Sequence, residues 1–264
     1  MSRPTSGAAL AICASALLTS AAAGDDVKMV AHRGGVVDDQ RIENSLPAIE
    51  EAVRRGYWML EVDVRESKDG RLVVHHDPNF WKFYKDKRRV SETTWSETKK
   101  LRSTPGDQRP LEFHEFAQAC KGRIELMIDT KGPEHPPEFF DSMERVLRDN
   151  ELLEGAYFIG TQQSQDRFRT HARVSVNRKE LRQAIDAGET VADKYFLFEH
   201  GNELDAATVE LARKHRVPIV PSVNVFHYVG SNHLERAAAD IRRLRAMGIH
   251  IFQIDSVYED FCRD

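Results

Sequence analysis

Short apolar runs alternate with amphipathic helical segments along most of the chain, and this alternation limits the folds available to it. No low-complexity linker or shift in composition interrupts the pattern after the first residues. Alternating strands and helices are typical of a parallel sheet covered by helices. The eight predicted strands are Val27–Ala31, Trp58–Val64, Ile124–Lys131, Ala156–Thr161, Ala172–Val176, Tyr195–His200, Pro218–Val225 and Ile251–Val257.

The number of strands and the chain length together favour a closed barrel over an open sheet. The 264 residues leave roughly 240 after an N-terminal segment described below, close to the ~250 typical of a (β/α)₈ barrel. We therefore predict a single-domain, distorted (β/α)₈ TIM barrel of the α/β class over residues 24–264. Barrel enzymes place their active sites at the C-terminal ends of the strands, where this chain concentrates its charged residues.

The first 23 residues have the composition of a targeting segment. Arg3 supplies a positive start, residues 8–23 are small and apolar, and Ala21-Ala22-Ala23 matches a small-residue cleavage site. We predict a secretory signal peptide at residues 1–23 and export to the periplasm or the extracellular space. An uncleaved N-terminal anchor is the alternative.

Charge and cysteine usage exclude several classes of protein. The net charge is −4, and no basic stripe marks a nucleic-acid-binding surface. After residue 23 only Cys120 and Cys262 remain, without CxxC or zinc-ligand spacing. Apolar residues recur at helical spacing from Leu111 to Cys120, so we expect a helix there with Cys120 in the core. The sequence leaves a disulfide between the two cysteines open.

The stretch from Glu61 to Asp77 carries the strongest chemical signal. Glu61 and Asp63 alternate on one strand, so their carboxylates point to the same side and repel unless a cation lies between them. Hard cations such as Mg²⁺ and Ca²⁺ prefer carboxylate oxygens. The Asp-Gly turn at 68–70 predicts a hairpin that returns His75-His76-Asp77 toward these carboxylates.

Other charged residues also follow predicted strands. The first strand ends in His32-Arg33-Gly34-Gly35, and Glu43 precedes a helix that Asn44 or Ser45 can cap. Glu43 could hold Arg33 or only complement the helix dipole. Each fragment alone would also fit ordinary strand-end charges. Their concentration at one rim favours a site.

The strand at 124–131 ends in Asp129-Thr130-Lys131, with Asp129 and Lys131 two residues apart and so on one face. Asp129 could be a third metal ligand, and Lys131 could bind phosphate.

Several fragments in a fixed order resemble the glycerophosphodiester phosphodiesterase family. The resemblance implies a distorted (β/α)₈ barrel, one divalent cation (Mg²⁺ or Ca²⁺), and hydrolysis of small glycerophosphodiesters to glycerol 3-phosphate and an alcohol. It covers nearly all of the mature chain. The fragments are His32-Arg33-Gly34, Glu43-Asn44, Glu61-Val62-Asp63, Lys68-Asp69-Gly70, Val73 to Asp77, Leu111 to Glu115, Asp129-Thr130-Lys131 and Gly248 to Asp255.

The resemblance also implies a role for each matching residue. His32 and His76 match the acid/base pair, with His32 as our choice of base and His76 as our choice of acid. His75 is a rival for His76, although period-two alternation places the two on opposite faces. The implied metal ligands are Glu61, Asp63 and Asp129, and the implied substrate- and phosphate-binding residues are Arg33, Glu43 and Lys131.

Two departures from the family pattern leave the choice of substrate headgroup open. Asp129 stands where the family usually has Glu, and Pro221-Ser222-Val223-Asn224 lacks the tryptophan of the family's strand. The first alternative is therefore a phospholipase D-like enzyme that acts on lysophospholipid or sphingolipid headgroups. Its transient contact with a lipid surface would use the aromatic residues Phe80, Trp81, Phe83 and Tyr84.

A second alternative is an exported protein that binds glycerophosphodiesters without cleaving them. A two-carboxylate glycosidase is disfavoured, since it gives the histidines and Lys131 no role.

Overall fold

The computed structural model describes residues 27–132, 134–230 and 232–263, so the predicted signal peptide lies outside it. Within these ranges eight parallel strands close into a barrel, because the first strand pairs with both the second and the last. The predicted (β/α)₈ barrel is confirmed. Its strands are β1 (Lys28–Ala31), β2 (Met59–Glu66), β5 (Glu125–Thr130), β6 (Tyr157–Gly160), β7 (Arg173–Val176), β8 (Tyr195–His200), β9 (Ile219–Val223) and β10 (Ile251–Ile254).

A hairpin extends the barrel wall after β2. Strand β3 (Leu72–Val74) pairs antiparallel with β2, and Val64 lies opposite Val74, as the Asp-Gly turn predicts. A short β4 (Leu111–Glu112) then pairs antiparallel with β3. The helix predicted from Leu111 therefore begins only at Phe113, because its first two residues are used in this sheet edge.

Helices cover the outside of the barrel. Three of them, α2 (Trp81–Tyr84), α6 (Gln162–Phe168) and α10 (Glu259–Arg263), were not predicted. Residues 90–101 form a 3₁₀ turn (Val90–Glu92) and the short α3 (Trp95–Thr98). The helices are α1 (Leu46–Arg54), α2 (Trp81–Tyr84), α3 (Trp95–Thr98), α4 (Phe113–Cys120), α5 (Pro137–Asp149), α6 (Gln162–Phe168), α7 (Arg178–Asp186), α8 (Ala206–Lys214), α9 (His233–Ala246) and α10 (Glu259–Arg263).

Alternation along each strand separates two apolar cores. On β2, Leu60 and Val62 face the helices, whereas Met59 points into the barrel, where it packs with Met127 and Phe196. Residues two and four positions after Met59 point the same way but lie nearer the C-terminal end of the strand. The barrel floor is therefore apolar and its C-terminal mouth is charged.

Both described cysteines are buried and free. Cys120 is a core residue on α4, as predicted, and burial raises the pKa of its thiol to about 12. None of the helices in the described ranges has the length and apolar character needed to span a membrane.

Candidate active site

Strand register brings three carboxylates together at the C-terminal mouth of the barrel. In the parallel pair of β2 and β5, Glu61 lies opposite Met127 and Asp63 lies opposite Asp129. Glu61, Asp63 and Asp129 each offer an oxygen within 4.8 Å of the others, and we call these three residues the acidic triad. The sequence prediction that they form one cluster is correct.

The acidic triad is electrostatically strained. Burial raises the pKa of Glu61, and the neighbouring carboxylates Asp63 and Asp129 raise it further. Burial would also raise the pKa of Asp63, but the Lys131 ammonium, 3.1 Å from its Oδ1, holds it below its ordinary value. Lys131 also pairs with Asp129. A cation is thus already needed to keep these carboxylates together.

The donor set fits a hard divalent cation. Asp63 is fully buried, and its Oδ1 has no well-aligned hydrogen bond despite the close approach of Lys131 Nζ. Its other oxygen, Oδ2, accepts a hydrogen bond of 3.0 Å from Asn44 Nδ2. Mg²⁺ and Ca²⁺ prefer carboxylate ligands of this kind, in which three carboxylates converge and one buried oxygen accepts no well-aligned hydrogen bond.

His32 is oriented by a carboxylate from the last strand of the barrel. Ala31 and Ile254 are register partners, so His32 and Asp255 follow them side by side. His32 Nδ1 lies 2.7 Å from Asp255 Oδ1, and its Nε2 lies 4.0 Å from Glu61 Oε2. Burial would raise the pKa of Asp255, but the hydrogen bond with His32 lowers it. The ring is thereby fixed with Nε2 toward the acidic triad.

His76 faces the same site from the hairpin, and His75 does not. His76 Nδ1 is 2.8 Å from Asp77 Oδ1, and its Nε2 is 3.3 Å from Arg33 Nη2. The buried His75 instead contacts the carbonyl of Asn79, 2.8 Å from its Nε2. The period-two prediction that separated the two histidines is confirmed.

A tight turn after β1 presents Arg33 to the site. Arg33 adopts a left-handed conformation with φ 56°, and its backbone N–H donates to Glu61 Oε2 at 2.7 Å. Gly35 (φ 139°) passes so close to α1 that a Cβ there would lie 2.3 Å from the carbonyl oxygen of Ala48. Only glycine fits at this position, so the turn is fixed by its sequence.

Glu43 holds the Arg33 side chain, as the sequence suggested. Its Oε2 accepts hydrogen bonds from Arg33 Nη1 at 2.9 Å and from Lys82 Nζ at 2.7 Å. Burial alone would lower the pKa of the Arg33 guanidinium, but Glu43 raises it above its ordinary value. Two of the three guanidinium nitrogens are thus held, by Glu43 and by His76.

A cavity of about 260 Å³ opens beside His32 and Arg33. Three valines, Val37, Val225 and Val257, line it together with Glu43, Lys82 and Asp255. The exposed ring of Phe226 lies next to the His32 ring, and the two ring centroids are 6.0 Å apart. The site therefore combines a charged centre with an apolar entrance.

Comparison with known proteins agrees with this geometry. Residues 32–255 match the model of the Glycerophosphoryl diester phosphodiesterase family. The chain belongs to this family. The match begins at His32 and ends at Asp255, the two residues that are hydrogen-bonded across the closed barrel.

Individual members of the family are distant in sequence. The chain is 27% identical to glycerophosphodiester phosphodiesterase 1 of Bos taurus over 131 residues, 46% of this chain and 38% of that protein. It is 42% identical to a lysophospholipase D of Homo sapiens over 52 residues, 20% of this chain and 16% of that protein. The chain thus spans well under half the length of these curated relatives.

The fold has close structural counterparts. A phosphodiesterase of Oleispira antarctica, solved in complex with the product sn-glycerol-3-phosphate, superposes with a TM-score of 0.70. The similarity covers 90% of this chain and 97% of that chain at 15% identity. At this identity the likeness supports the barrel fold alone.

Sequence reasoning missed several residues around the site of this family member. Asp255 and Asp77 orient the two histidines, Asn44 binds Asp63 rather than capping α1, and Lys82 binds Glu43. Strand register could have identified Asp255, since it follows the last strand at the position that faces His32. No signal in the sequence identified Lys82.

The predicted aromatic rim is partly wrong. Phe80 is fully buried against His75 and Tyr84, and Phe83 and Tyr84 are only partly exposed. Only Trp81, 48% exposed, remains available at the surface. Exposed apolar residues near His32 are instead Val225, Phe226 and Val257.

Proposed function

We propose that this chain is an exported, metal-dependent glycerophosphodiester phosphodiesterase that releases glycerol 3-phosphate and an alcohol. One observation carries the proposal: two histidines from different strands face the acidic triad and Arg33, and each has its Nδ1 against a carboxylate. A carboxylate at Nδ1 fixes the ring and stabilises the imidazolium that forms during proton transfer. This arrangement suits general acid–base catalysis at a phosphodiester.

Charge neutralisation is the first requirement of the reaction, because the diester anion repels nucleophiles. Glu43 holds Arg33 through Nη1, and Arg33 would bind phosphate oxygens with Nη2 in place of its contact with His76 Nε2. Lys131 would add a second positive charge. Preorganised charges of this kind stabilise the further negative charge that develops in the transition state.

The two histidines would divide the proton transfers. One imidazole takes a proton from the nucleophile as the new P–O bond forms, and the other gives a proton to the leaving alkoxide as the old P–O bond breaks. The nucleophile is water or a neighbouring glycerol hydroxyl, which would first give a cyclic phosphate. We assign His32 as the base and His76 as the acid.

Glu61, Asp63 and Asp129 would hold one divalent cation, Mg²⁺ or Ca²⁺. When bound, the cation would polarise a phosphoryl oxygen and neutralise part of the charge of the acidic triad. Lys131 would then keep its contact with the phosphate rather than serve as the main partner of Asp63.

Replacement of single histidines tests this assignment. We expect His32→Gln and His76→Gln each to lower kcat for glycerol 3-phosphate release by about 10² to 10⁴-fold, the range of a general acid or base. His75→Gln is the matched control, because His75 faces away from the site, and it should change stability more than kcat. Full activity of His32→Gln or His76→Gln would contradict the assignment. Tight binding of glycerophosphocholine by the wild type without turnover would favour a binding protein instead.

Export rests on the sequence of residues 1–23. Expression in a bacterial host and mass determination of the exported protein would give its N-terminus. We expect cleavage after Ala23, and a cytoplasmic product that keeps Met1 would contradict export.

A lysophospholipid headgroup hydrolase remains a second candidate, favoured by the exposed Val225, Phe226 and Val257 beside His32. This function predicts faster turnover of lysophosphatidylcholine than of glycerophosphocholine. Phe226→Ser and Trp81→Ser should then reduce activity on the lipid substrate selectively. An equal effect of both variants on both substrates would exclude a lipid-specific role for these side chains.

A further inference from the structure

A second cavity, of about 400 Å³, shares no lining residue with the His32 cavity. Arg65, Lys68, Arg89 and Lys131 contribute cationic side chains to its wall, and we call it the basic cavity. The side chains that line it also include Glu66, Glu134, His135 and Ser91. Its volume is in the range of pockets that bind small molecules.

The basic cavity adjoins the proposed catalytic residues at two points. Lys131 lines it, and the Nζ of Lys131 lies 3.1 Å from Asp63 Oδ1. Arg65 also lines it, and its Nε and Nη2 donate to the carbonyl oxygen of His76 at 3.0 and 2.6 Å. A group that extends from a phosphate at the acidic triad past Lys131 would enter this cavity.

The cationic charge of the cavity is only partly compensated. Glu66 is engaged by His135, whose Nδ1 lies 3.3 Å from Glu66 Oε2. Lys68 and Arg89 form no ion pair with any described residue, and their side chains are exposed at the cavity wall. Lys131 is matched by Asp63 and Asp129. The remaining cations, Arg65, Lys68 and Arg89, outnumber the two acids, Glu66 and Glu134, so the cavity attracts an anion.

We infer that the basic cavity is the leaving-group subsite, and that it selects glycerophosphodiesters whose alcohol carries a further anionic group, such as a phosphate monoester. This inference rests on the proposed function and extends it to the headgroup. Arg65 hydrogen-bonds the backbone carbonyl of His76, so the segment that carries the assigned acid adjoins the cavity. A trimethylammonium headgroup would meet Lys68 and Arg89 and be disfavoured.

Two substrates that differ by one phosphate test the subsite directly. The probes are glycerophosphoinositol and glycerophosphoinositol 4-phosphate, hydrolysed by the mature protein with Mg²⁺ at fixed ionic strength. We expect kcat/KM to be about tenfold higher for the phosphorylated substrate, the size of one charge-assisted hydrogen bond. In the double variant Lys68→Gln/Arg89→Gln this ratio should fall to about one. In the control Arg182→Gln, whose exposed side chain lies on α7 away from the cavity, the ratio should stay at its wild-type value.

The outcomes separate the subsite from the activity. A wild-type ratio of one or less, or a ratio that the double variant leaves unchanged, overturns the subsite. If neither substrate is cleaved, the proposed function fails, and calorimetric binding of inositol 4-phosphate decides about the cavity. Binding to the wild type that weakens about tenfold in Lys68→Gln/Arg89→Gln, but not in Arg182→Gln, still supports an anion site. No binding to the wild type, or equal binding to all three proteins, overturns it.

Discussion

At the residue scale, carboxylates act on their neighbours at this site in two ways. Asp255 and Asp77 each lie against the Nδ1 of a histidine, whereas Glu61, Asp63 and Asp129 repel one another at the mouth of the barrel. The first arrangement orients the two histidines that we propose are catalytic. The second brings together negative charges that a bound cation would neutralise. Each arrangement makes a separate prediction.

Asp255 is a positioning residue for His32, and its replacement should slow catalysis. Asp255→Asn keeps the shape of the side chain but loses the charge that stabilises the imidazolium, so we expect kcat to fall by about 10² to 10⁴-fold. The pH profile of kcat should also shift, since a purely structural role would leave it unchanged. Asp186→Asn, on the exposed surface of α7, is the control. An activity of Asp255→Asn within twofold of the wild type would show that His32 needs no carboxylate.

Glu61 should destabilise the metal-free protein at neutral pH. Its pKa is raised above the ordinary 4.5 by burial and by Asp63 and Asp129, so the folded state binds more protons than the unfolded state above pH 4.5. Stability without metal therefore falls as pH rises through this range. In EDTA at pH 7.5, Glu61→Gln should melt about 2 to 4 °C above the wild type, as expected for about 1 kcal/mol in a domain of this size.

The same two proteins provide the control for this prediction. At pH 5 the difference in Tm should shrink, because more of the folded protein then carries a neutral Glu61 and the buried repulsion is relieved. Adding Mg²⁺ or Ca²⁺ should raise the Tm of the wild type but not that of Glu61→Gln. A variant that melts lower than the wild type at pH 7.5 in EDTA would show that the triad is not repulsive.

Sequence patterns predicted residues whose direction follows from strand alternation. Glu61, Asp63, Asp129 and the choice of His76 over His75 are of this kind, because a period of two fixes the face. Lys82 could not be predicted, since its contact with Glu43 depends on how the loop after the hairpin folds over β1. Roles assigned by family resemblance still await measurement.

At the scale of elements, the turn at His32–Gly34 is the least replaceable piece of the site. It places the His32 ring, the Arg33 side chain and the Arg33 backbone N–H around Glu61. This geometry needs a close approach of Gly35 to α1. A side chain at Gly35 must therefore move either the turn or the helix.

Gly35→Ala should damage both stability and activity. Its Cβ would overlap the carbonyl oxygen of Ala48, so we expect a loss of at least about 3 kcal/mol in the free energy of unfolding. Gly188→Ala is the matched control, because Gly188 also has a positive φ (76°) but no atom within 4 Å of the added Cβ. It should cost only about 1 to 2 kcal/mol. Urea unfolding of both variants measures the difference, and equal losses would show that the contact with Ala48 has no effect.

The sequence predicted the regular elements and missed the short ones. Apolar strands and amphipathic helices such as α5 and α9 carry their own periodicity. Helices α2 and α10 span only four and five residues, too few to show a helical period, and α6 has only one apolar side chain, Phe168. The first two residues of the predicted helix at Leu111 joined a sheet instead, because β3 offered a free edge.

At the scale of the whole molecule, barrel closure is what assembles the site. The two histidines proposed for acid–base catalysis follow β1 and the hairpin after β2, Asp255 follows β10, and Asp129 lies in β5. The sequence predicts that these segments meet only if the strands form a closed barrel with a parallel register. Two separate cavities lie near this site, one beside His32 with an apolar entrance and one that is basic and shares Lys131 with the acidic triad.

The most direct test of the proposed metal-dependent hydrolysis is glycerol 3-phosphate release from glycerophosphocholine by the mature protein, measured with Mg²⁺, with Ca²⁺ and after chelation. We predict release of glycerol 3-phosphate with at least one of these ions, loss of this release in EDTA, and its recovery when the ion is returned. Release that continues undiminished in EDTA would contradict a metal-dependent reaction at Glu61, Asp63 and Asp129. Absence of release with either ion would contradict the proposed hydrolysis of this diester.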